Sequence, residues 1–241
     1  TTGNLSASNY AALDKVKNKD SDVVITISDT TATLDASVLK TIGGKTSGNV
    51  TVSNAHTKIQ GTEADLTAAL VTGATKVILG GSTTTPFEIS SGTGAVDKVN
   101  ALAGVTNAGN ITGTITSADG TTLAAGMGNL SNTDVLAVTI SGTPTITQVN
   151  TIAGKTGGVV TATIAAGNYA TQNALTTAAT DVITLTVNAE ITVTEFDTLN
   201  GKTAGDITVS GGVTGTAAEF VSTAGVVTAS LNALDAQNTN F

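Results

Sequence analysis

The chain has 241 residues, of which 27 are glycine, 2% are aromatic and 12% are charged. It contains no cysteine and one histidine, which excludes a disulfide framework, a thiolate metal site and any mechanism that needs two histidines. The formal net charge of −8 argues against binding to nucleic acid or to anionic lipid, since both require a basic surface. Because 40% of the residues are hydrophobic, we expect a folded chain.

Several features that are missing from the sequence bear on where the protein is located. No apolar run approaches the roughly 18–20 residues of a membrane span, so we expect no membrane span. Residues 1–20 have neither the basic start nor the apolar middle of a signal peptide, and the first residue is Thr rather than Met. We therefore expect a processed chain or a part of a longer one. An acidic, Thr-rich chain without cysteine is typical of an exported bacterial surface protein.

A segment of about ten residues recurs along the chain. Copies align without gaps at residues 15–24, 41–50, 151–160 and 198–207, and with one insertion at 101–111. Looser copies lie at 69–78, 129–138, 174–183 and 220–227. We interpret residues 1–241 as a single repeat array with one unit per about 25 residues, whose units end near Val24, Val50, Ile78, Ile111, Val138, Val160, Ile183, Ile207 and Val227.

Each unit starts with apolar residues at a spacing of three, which is typical of one face of a short helix. A turn that contains glycine follows, as at Gly44, Gly154 and Gly201, and then a β-branched run that predicts a strand. Capping-box patterns mark helix starts at Thr62, Thr192 and Thr216. The predicted helical triplets are, in chain order, Tyr10/Leu13/Val16, Leu39/Ile42, Val96/Val99/Leu102, Ile146/Val149/Ile152 and Val193/Phe196/Leu199.

The fold class that this pattern favours is an α/β repeat. One short helix and one strand cannot bury a core alone, whereas stacked copies can. We therefore predict a β-solenoid-like stack of helix–turn–strand units with parallel strand pairing, in which units with a GKT turn alternate with units of a second type. The alternative is a two-layer α/β domain whose units only look periodic.

The tripeptide GKT occurs three times in register, starting at Gly44, Gly154 and Gly201. A phosphate-binding P-loop also ends in Gly-Lys-Thr, but it needs an earlier glycine where this chain has Leu39, Val149 and Phe196. A turn-forming role explains the recurrence better than a nucleotide site does. We accordingly predict no catalytic, cofactor-binding or metal-ligating residue from this motif.

The remaining polar candidates are weaker still. The single histidine, His56, follows a strand in a polar stretch, and we expect it to be a solvated loop residue. Calcium could bind acidic side chains around the first strand, but neither an EF-hand loop nor a calcium-binding nonapeptide repeat is present. We favour solvated charge there and expect no cofactor, with calcium as a weaker possibility. These acidic residues are Asp14, Asp20, Asp22, Asp29 and Asp35.

Threonine pairs of the form T-x-T suggest an ice-binding face, but they fall at different phases of the unit, as at residues 31–33, 112–116, 161–163, 184–186 and 192–194. A single ordered face is therefore not expected. Glycosylation sequons stand at Asn4, Asn49, Asn110 and Asn129.

The pattern L-x-x-(I/L)-x-G-K-T-x-G-x-(V/I)-T, which fits best at residues 39–51, and the sequence VTGTAAEF at 213–220 together resemble repeats of very large bacterial, notably cyanobacterial, surface proteins. Such proteins are described as S-layer-like, adhesin-like or surface-motility proteins. The resemblance implies an extracellular, structural or adhesive role and export by a type I route. It supplies no catalytic residues, and the calcium-binding nonapeptides frequent in those proteins are missing here.

The sequence therefore predicts a structural segment of a secreted or surface-attached protein that forms a rod, fibre or lattice element and is not an enzyme. Self-association, end to end or side by side, follows from the open strand edges of such a repeat. An adhesin-type module that recognises a glycan or another surface, with calcium as a possible requirement, is the alternative. An enzyme would need acidic residues that converge in a groove.

Overall fold

The protein is an α/β structure, described here from a computed structural model. The structure describes residues 2–5, 13–28, 33–53, 56–74, 77–81 and 84–220. The sequence predictions that concern Tyr10, Asp29, Thr31 and the unit ending at Val227 lie outside these residues.

The described part of the chain contains fourteen strands and nine helices. The strands β1 to β14 are Thr2–Leu5, Val24–Ile27, Thr33–Asp35, Val50–Val52, Lys58–Thr62, Val77–Leu79, Thr85–Ser91, Ala108–Asp119, Val135–Ser141, Val160–Thr163, Val182–Val187, Ile191–Thr192, Ile207–Val209 and Val213–Thr214. The helices α1 to α9 are Leu13–Lys17, Ala36–Gly43, Glu63–Leu70, Val96–Ala103, Gly120–Gly126, Ile146–Ala153, Tyr169–Gln172, Val193–Asn200 and Ala217–Phe220.

The strands form a sheet of eight strands in the order β13-β11-β10-β9-β8-β7-β5-β3, a sheet of four in the order β1-β2-β4-β6, and the pair β12-β14. All the strand pairs with a defined register are parallel. The predicted solenoid of stacked, alternating units is therefore wrong, and the structure is an α/β fold built on a large parallel sheet.

The physical reason for this error lies in what a repeated helix–turn–strand pattern specifies. Parallel strands always need a crossover connection, and a helix usually supplies it, so the same sequence period fits both a coil stack and a layered sheet. The strand order distinguishes the two, and here the strands are divided among three sheets. Strand length also varies, from two residues in β12 to twelve in β8, rather than repeating from unit to unit.

The local elements follow the sequence more closely than the architecture does. The predicted helical positions Leu39, Val99 and Leu102 lie on helices and are fully buried. Seven of the predicted unit ends between Val50 and Ile207 are strand residues, and Val24 is the first residue of β2. Helical periodicity of three to four and β-branched runs are thus sufficient to place these elements.

The chain divides into two compact units. The first comprises residues 1–116 and 126–136, and its core includes the fully buried Phe87 and Leu66. The second comprises residues 117–125 and 137–241, and its core includes Phe196, Leu199 and Leu185, which are also fully buried. Each core is made mainly of Val, Ile and Leu, the residues that are typical of strands in parallel sheets.

Side-chain caps fix where several helices begin. Thr192 and Glu195 form the predicted capping box at the start of α8, and Thr62 accepts the backbone N–H of Asp65 at the start of α3. The sequence analysis missed a further capping box, formed by Thr145 and Gln148 at α6. None of the helices in the described residues combines the length and apolar character required to traverse a bilayer.

Candidate functional site

The threonine of each GKT turn is buried. Thr46, Thr156 and Thr203 are 6%, 5% and 2% exposed, although threonine is usually a surface residue. Each hydroxyl accepts the backbone N–H two residues further on, at 2.8–2.9 Å. A buried hydroxyl must be hydrogen-bonded to be tolerated, and these three obtain that bond within their own turn.

The hydroxyl of Thr203 also reaches the neighbouring strand β11. It accepts the N–H of Ile183 at 2.7 Å and lies 2.8 Å from the carbonyl oxygen of the same residue, to which it can donate. Thr46 makes a corresponding bond to the carbonyl oxygen of Val23 at 2.6 Å. The GKT threonine therefore joins its own turn to the backbone that lies 20 or more residues earlier in the chain.

The lysine of the GKT turn extends the same connection. Lys202 donates to the carbonyl oxygens of Asn173 and Leu175, both at 2.7 Å. Lys45 instead forms an ion pair with Asp14 at 2.5 Å. In both cases the ammonium group binds the preceding repeat, and no phosphate-binding loop is formed around it.

A second kind of turn uses a buried aspartate, which the sequence analysis did not single out. Asp181, 5% exposed, stands immediately before β11, and its two carboxylate oxygens accept the N–H groups of Val160 and Ala178 at 2.8 and 2.9 Å. Asp134, before β9, accepts those of Ile111 and Ser131 at 2.7 and 2.9 Å. The sequence signal is the dipeptide Asp-Val that opens both strands.

We call these buried Thr and Asp side chains turn clamps, namely Thr46, Asp134, Thr156, Asp181 and Thr203. Four of them, the threonines Thr46 and Thr203 and the two aspartates, bind backbone that is more than 19 residues distant. Because unpaired buried N–H groups are costly, the clamps contribute to stability by accepting backbone N–H groups of turns and strands. The hydrogen bonds described for these side chains go to backbone groups.

The single histidine is not a solvated loop residue as predicted. His56 is only 4% exposed, so this prediction is wrong. Its polar neighbours in the sequence gave no indication of burial, since a single residue between two strands carries no periodic signal. Among the described residues, His56 does not form a metal-binding group with the acidic residues that were candidates for calcium.

Three of the described acidic residues near β2 lie on the surface. Asp14, Asp22 and Asp35 are exposed, and Asp14 is paired with Lys45. Among the described residues there is no group of three or more His, Asp or Glu side chains arranged to hold a metal ion.

The carboxylates with a lowered pKa lie at helix starts. The Lys40 ammonium, followed by the Thr62 hydroxyl, lowers the pKa of Asp65 at the start of α3. Hydrogen bonds from the Thr122 hydroxyl and backbone lower the pKa of Asp119, and bonds from the Thr216 backbone and hydroxyl lower that of Glu219. Asp119 and Glu219 accept backbone N–H groups at helix starts, which stabilises their charged forms, whereas the Asp65 carboxylate accepts the Lys40 ammonium and the Thr62 hydroxyl.

Open grooves lie on the surface that the described residues form. A polar groove of about 200 Å³ in the second unit is bounded by the clamps Thr156 and Asp181. A second, of about 220 Å³ in the first unit, includes the sequon residues Asn110 and Asn129. The third, of about 330 Å³, runs beside β6 and has Ile78 in its lining. The first two are smaller than the sites of drug-sized ligands, which occupy roughly 300–1,000 Å³, and the third lies at the lower end of that range.

The T-x-T threonines are neighbours only in part. In the second unit, Thr163 lies opposite Thr184, and Thr139 lies opposite Thr161, but Val182 interrupts the second row. The hydroxyl rows therefore shift by one position between strands, as the differing phases of the motif predict.

The edge of β6 carries a further polar feature that the sequence analysis missed. The Asn107 side-chain amide donates to the carbonyl oxygens of Leu79 and Gly81 at 2.8 and 3.2 Å. Asn107 is the only non-glycine residue in the described part of the chain with a positive φ, 63°.

No family model matches this chain, and no curated protein or solved structure shows significant similarity to it.

Proposed function

We propose that the chain is a structural segment of a secreted or surface-attached protein, in which copies associate into a fibre or lattice, and that it is not an enzyme. The observation that supports this proposal is the use of the buried polar side chains. The turn clamps Asp134, Asp181 and Thr203 bind backbone N–H groups of neighbouring turns and strands.

A catalytic site would use such groups differently. Catalytic acids, bases and nucleophiles converge on a cavity in which a substrate can reach them. Here the buried carboxylates of Asp134 and Asp181 are hydrogen-bonded to backbone, and those with a lowered pKa lie at helix starts. A polypeptide whose polar chemistry is used in this way is suited to holding a shape rather than to transforming a ligand.

The extracellular location is supported by composition and by the resemblance of the GKT pattern to bacterial surface repeats. The chain is acidic and has no cysteine, so its fold does not depend on the redox state of its compartment. Outward positions of its strands carry Thr and Ser, such as Thr139, Ser141 and Thr163, which keep a surface hydrated without adding charge.

An adhesin-type function is the second candidate, and the polar groove of the first unit favours it. Exposed side chains with hydroxyl or amide groups line this groove, among them Asn110, Asn129 and Thr133. Such groups form hydrogen bonds with sugars. Calcium is included as a possible requirement because the surface carries an excess of carboxylates.

Sedimentation velocity of the purified chain, from dilute to concentrated samples and with either calcium or a chelator, tests the proposal. Mass that rises with concentration in either buffer supports the structural function. A monomer under all of these conditions overturns it. A glycan-array signal that is lost in Asn129→Ala but kept in Asn188→Ala, an exposed asparagine outside the groove, would show the adhesin function instead.

A further inference from the structure

The four-stranded sheet of the first unit ends at β6, and the side chain of Asn107 is hydrogen-bonded at this edge. The sheet has the order β1-β2-β4-β6, so β6 has β4 on one side only. Exposed sheet edges invite pairing with another chain, and proteins protect them with short strands or covering segments. β6 is only three residues long, and Asn107 lies against its open side.

The hydrogen-bond directions show what Asn107 replaces. The N–H of Gly80 donates to the carbonyl oxygen of Val52 in β4 at 2.9 Å. Because the backbone groups of successive strand residues point to opposite sides, those of Leu79 face away from β4. There the carbonyl oxygen of Leu79 accepts the Asn107 amide at 2.8 Å. The amide therefore occupies the place of a backbone N–H from an added strand.

Asn107 adopts an unusual backbone conformation to reach this position. Its φ of 63° lies in the left-handed region, which costs energy for residues other than glycine and is best tolerated by Asn and Asp. Its carbonyl oxygen accepts the N–H of Thr85 at 2.9 Å, which fixes the residue on the side opposite to β6. Asn107 thus bridges the edge of one sheet and the first residue of β7.

Beside this edge there is room for the side chains of another strand. The groove of about 330 Å³ runs along β6 and is lined mainly by apolar residues, including Leu70, Val77 and Val105. Ile78 and Val71 in the same lining are 45% and 39% exposed. An extended chain that paired with β6 would cover these side chains.

The partner that fits this edge is a second copy of the chain. Asn4 of β1, Thr26 of β2, Thr51 of β4 and Ile78 of β6 follow one another in a single parallel row. β1 is the opposite edge of the same sheet, so β1 of a second copy can continue the row beyond Ile78 in the same direction. Such head-to-tail pairing is open-ended and builds filaments.

We propose that Asn107 is a latch that closes the β6 edge against β1 of a second copy. The inference rests on the proposed function, since it assumes that the natural assembly uses other surfaces and that growth at β6 is restricted. Removing the Asn107 amide frees the carbonyl oxygens of Leu79 and Gly81 for the N–H groups of an incoming strand.

The test compares Asn107→Gly with the wild-type chain by light scattering and electron microscopy. Glycine accepts a positive φ without strain, so this variant removes the amide and preserves the backbone. Asn107→Asp, which keeps the shape but loses both donors, is the second variant. Asn150→Ala is the matched control, because the Asn150 side chain also binds backbone, at Ala174 and Thr176, but beside the internal strand β11.

We expect both Asn107 variants to polymerise about tenfold faster than the wild-type chain and Asn150→Ala not to do so. The chain has no cysteine, so single-cysteine versions can report the contact. In the Asn107→Gly background, Asn4→Cys mixed with Ile78→Cys should yield an intermolecular disulfide. Asn107 variants that keep the wild-type circular dichroism and assemble no faster than the wild-type chain overturn the latch.

The same experiment separates the latch from the proposed function. If the wild-type chain assembles and the Asn107 variants do not differ from it, the structural function stands and the latch is wrong. Alternatively, the wild-type chain stays monomeric and only the Asn107 variants polymerise through the disulfide-forming contact. That result supports the latch and shows that the proposed association of wild-type copies is wrong.

Discussion

The carboxylate of Asp181 accepts the backbone N–H of Val160 at 2.8 Å, and so joins the turn before β11 to the first residue of β10. Its other oxygen accepts the N–H of Ala178. In Asp181→Ala both N–H groups lose their acceptor, and that of Val160 does so in a buried position. We expect a loss of about 1–3 kcal/mol in the free energy of unfolding, because that is roughly the cost of an unsatisfied buried group.

Amide hydrogen exchange can locate this effect. In Asp181→Ala the N–H of Val160 should exchange much faster, since local opening no longer has to break its bond to the carboxylate. Asp206→Ala removes an exposed carboxylate that makes no ion pair with another described residue, and it should leave this exchange unchanged. Unchanged Val160 exchange in Asp181→Ala would refute the clamp.

The Thr203 hydroxyl should be needed for stability, whereas its methyl group should matter less. Thr203→Val preserves the shape but leaves the N–H groups of Ile183 and Gly205 without their acceptor, so we expect a loss of about 1–3 kcal/mol. Thr203→Ser keeps the hydroxyl and should lose less. Urea unfolding measures both variants against Thr163→Val, an exposed position. Equal losses in Thr203→Val and Thr203→Ser would contradict a role for the hydroxyl.

The two glycines of the segment GKTAG, Gly201 and Gly205, should respond oppositely to alanine. A Cβ on Gly205 would lie 2.6 Å from the carbonyl oxygen of Ile183, closer than any real contact, so the backbone must shift. A Cβ on Gly201 would meet nothing nearer than 3.6 Å, and its φ of −68° suits any residue. We expect Gly205→Ala to destabilise the chain and Gly201→Ala to be neutral or mildly stabilising.

Thermal unfolding of the two alanine variants checks this contrast. The result also bears on the motif itself, because the glycine that makes GKT look like a phosphate-binding loop is the replaceable one. A severe loss in Gly201→Ala, together with a neutral Gly205→Ala, would show that the turn is not packed as described.

Acid should weaken the cap of α3. The Lys40 ammonium, followed by the Thr62 hydroxyl, lowers the pKa of Asp65 in the folded state. The charged carboxylate therefore stabilises the fold above the ordinary aspartate pKa of about 3.9, and this contribution is lost as the pH falls through the lower folded pKa. Asp65→Asn should cost less than about 1 kcal/mol near neutral pH, because the pair is partly exposed.

Unfolding by urea near neutral pH and at about pH 2.5 tests the sign. The difference between the wild-type chain and Asp65→Asn should shrink in acid. Asp206→Asn, at an exposed carboxylate, serves as the comparison. A difference that grows as the pH falls would mean that the charged form of Asp65 does not stabilise the fold.

The sequence was informative about local structure and misleading about architecture. Apolar spacing placed α4 and α8, and the Thr192 pattern placed a helix start, because these signals act within a few residues. How the strands are shared among sheets depends on pairing between distant segments, and a repeated unit leaves that choice open. The repeated helix–turn–strand unit predicts a solenoid, but the repeat does not encode strand order.

The polar positions show a similar division. The recurrence of GKT marked a structural turn, but the burial of Thr203 and its bond to Ile183 follow from the neighbouring strand. In the sequence, Asp134 and Asp181 look like ordinary surface carboxylates. Their structural role comes from the backbone N–H groups that they accept, which belong to Ile111 and Val160 respectively. His56 was misplaced for the same reason, since burial of a single residue depends on what packs over it.

Negative-stain electron microscopy of the purified wild-type chain, with calcium and with a chelator, tests the central claim most directly. If the polar chemistry serves a structural role and copies associate, the micrographs should show ordered fibres or lattices of regular spacing. Discrete monomeric particles at every concentration and in both buffers would contradict the account.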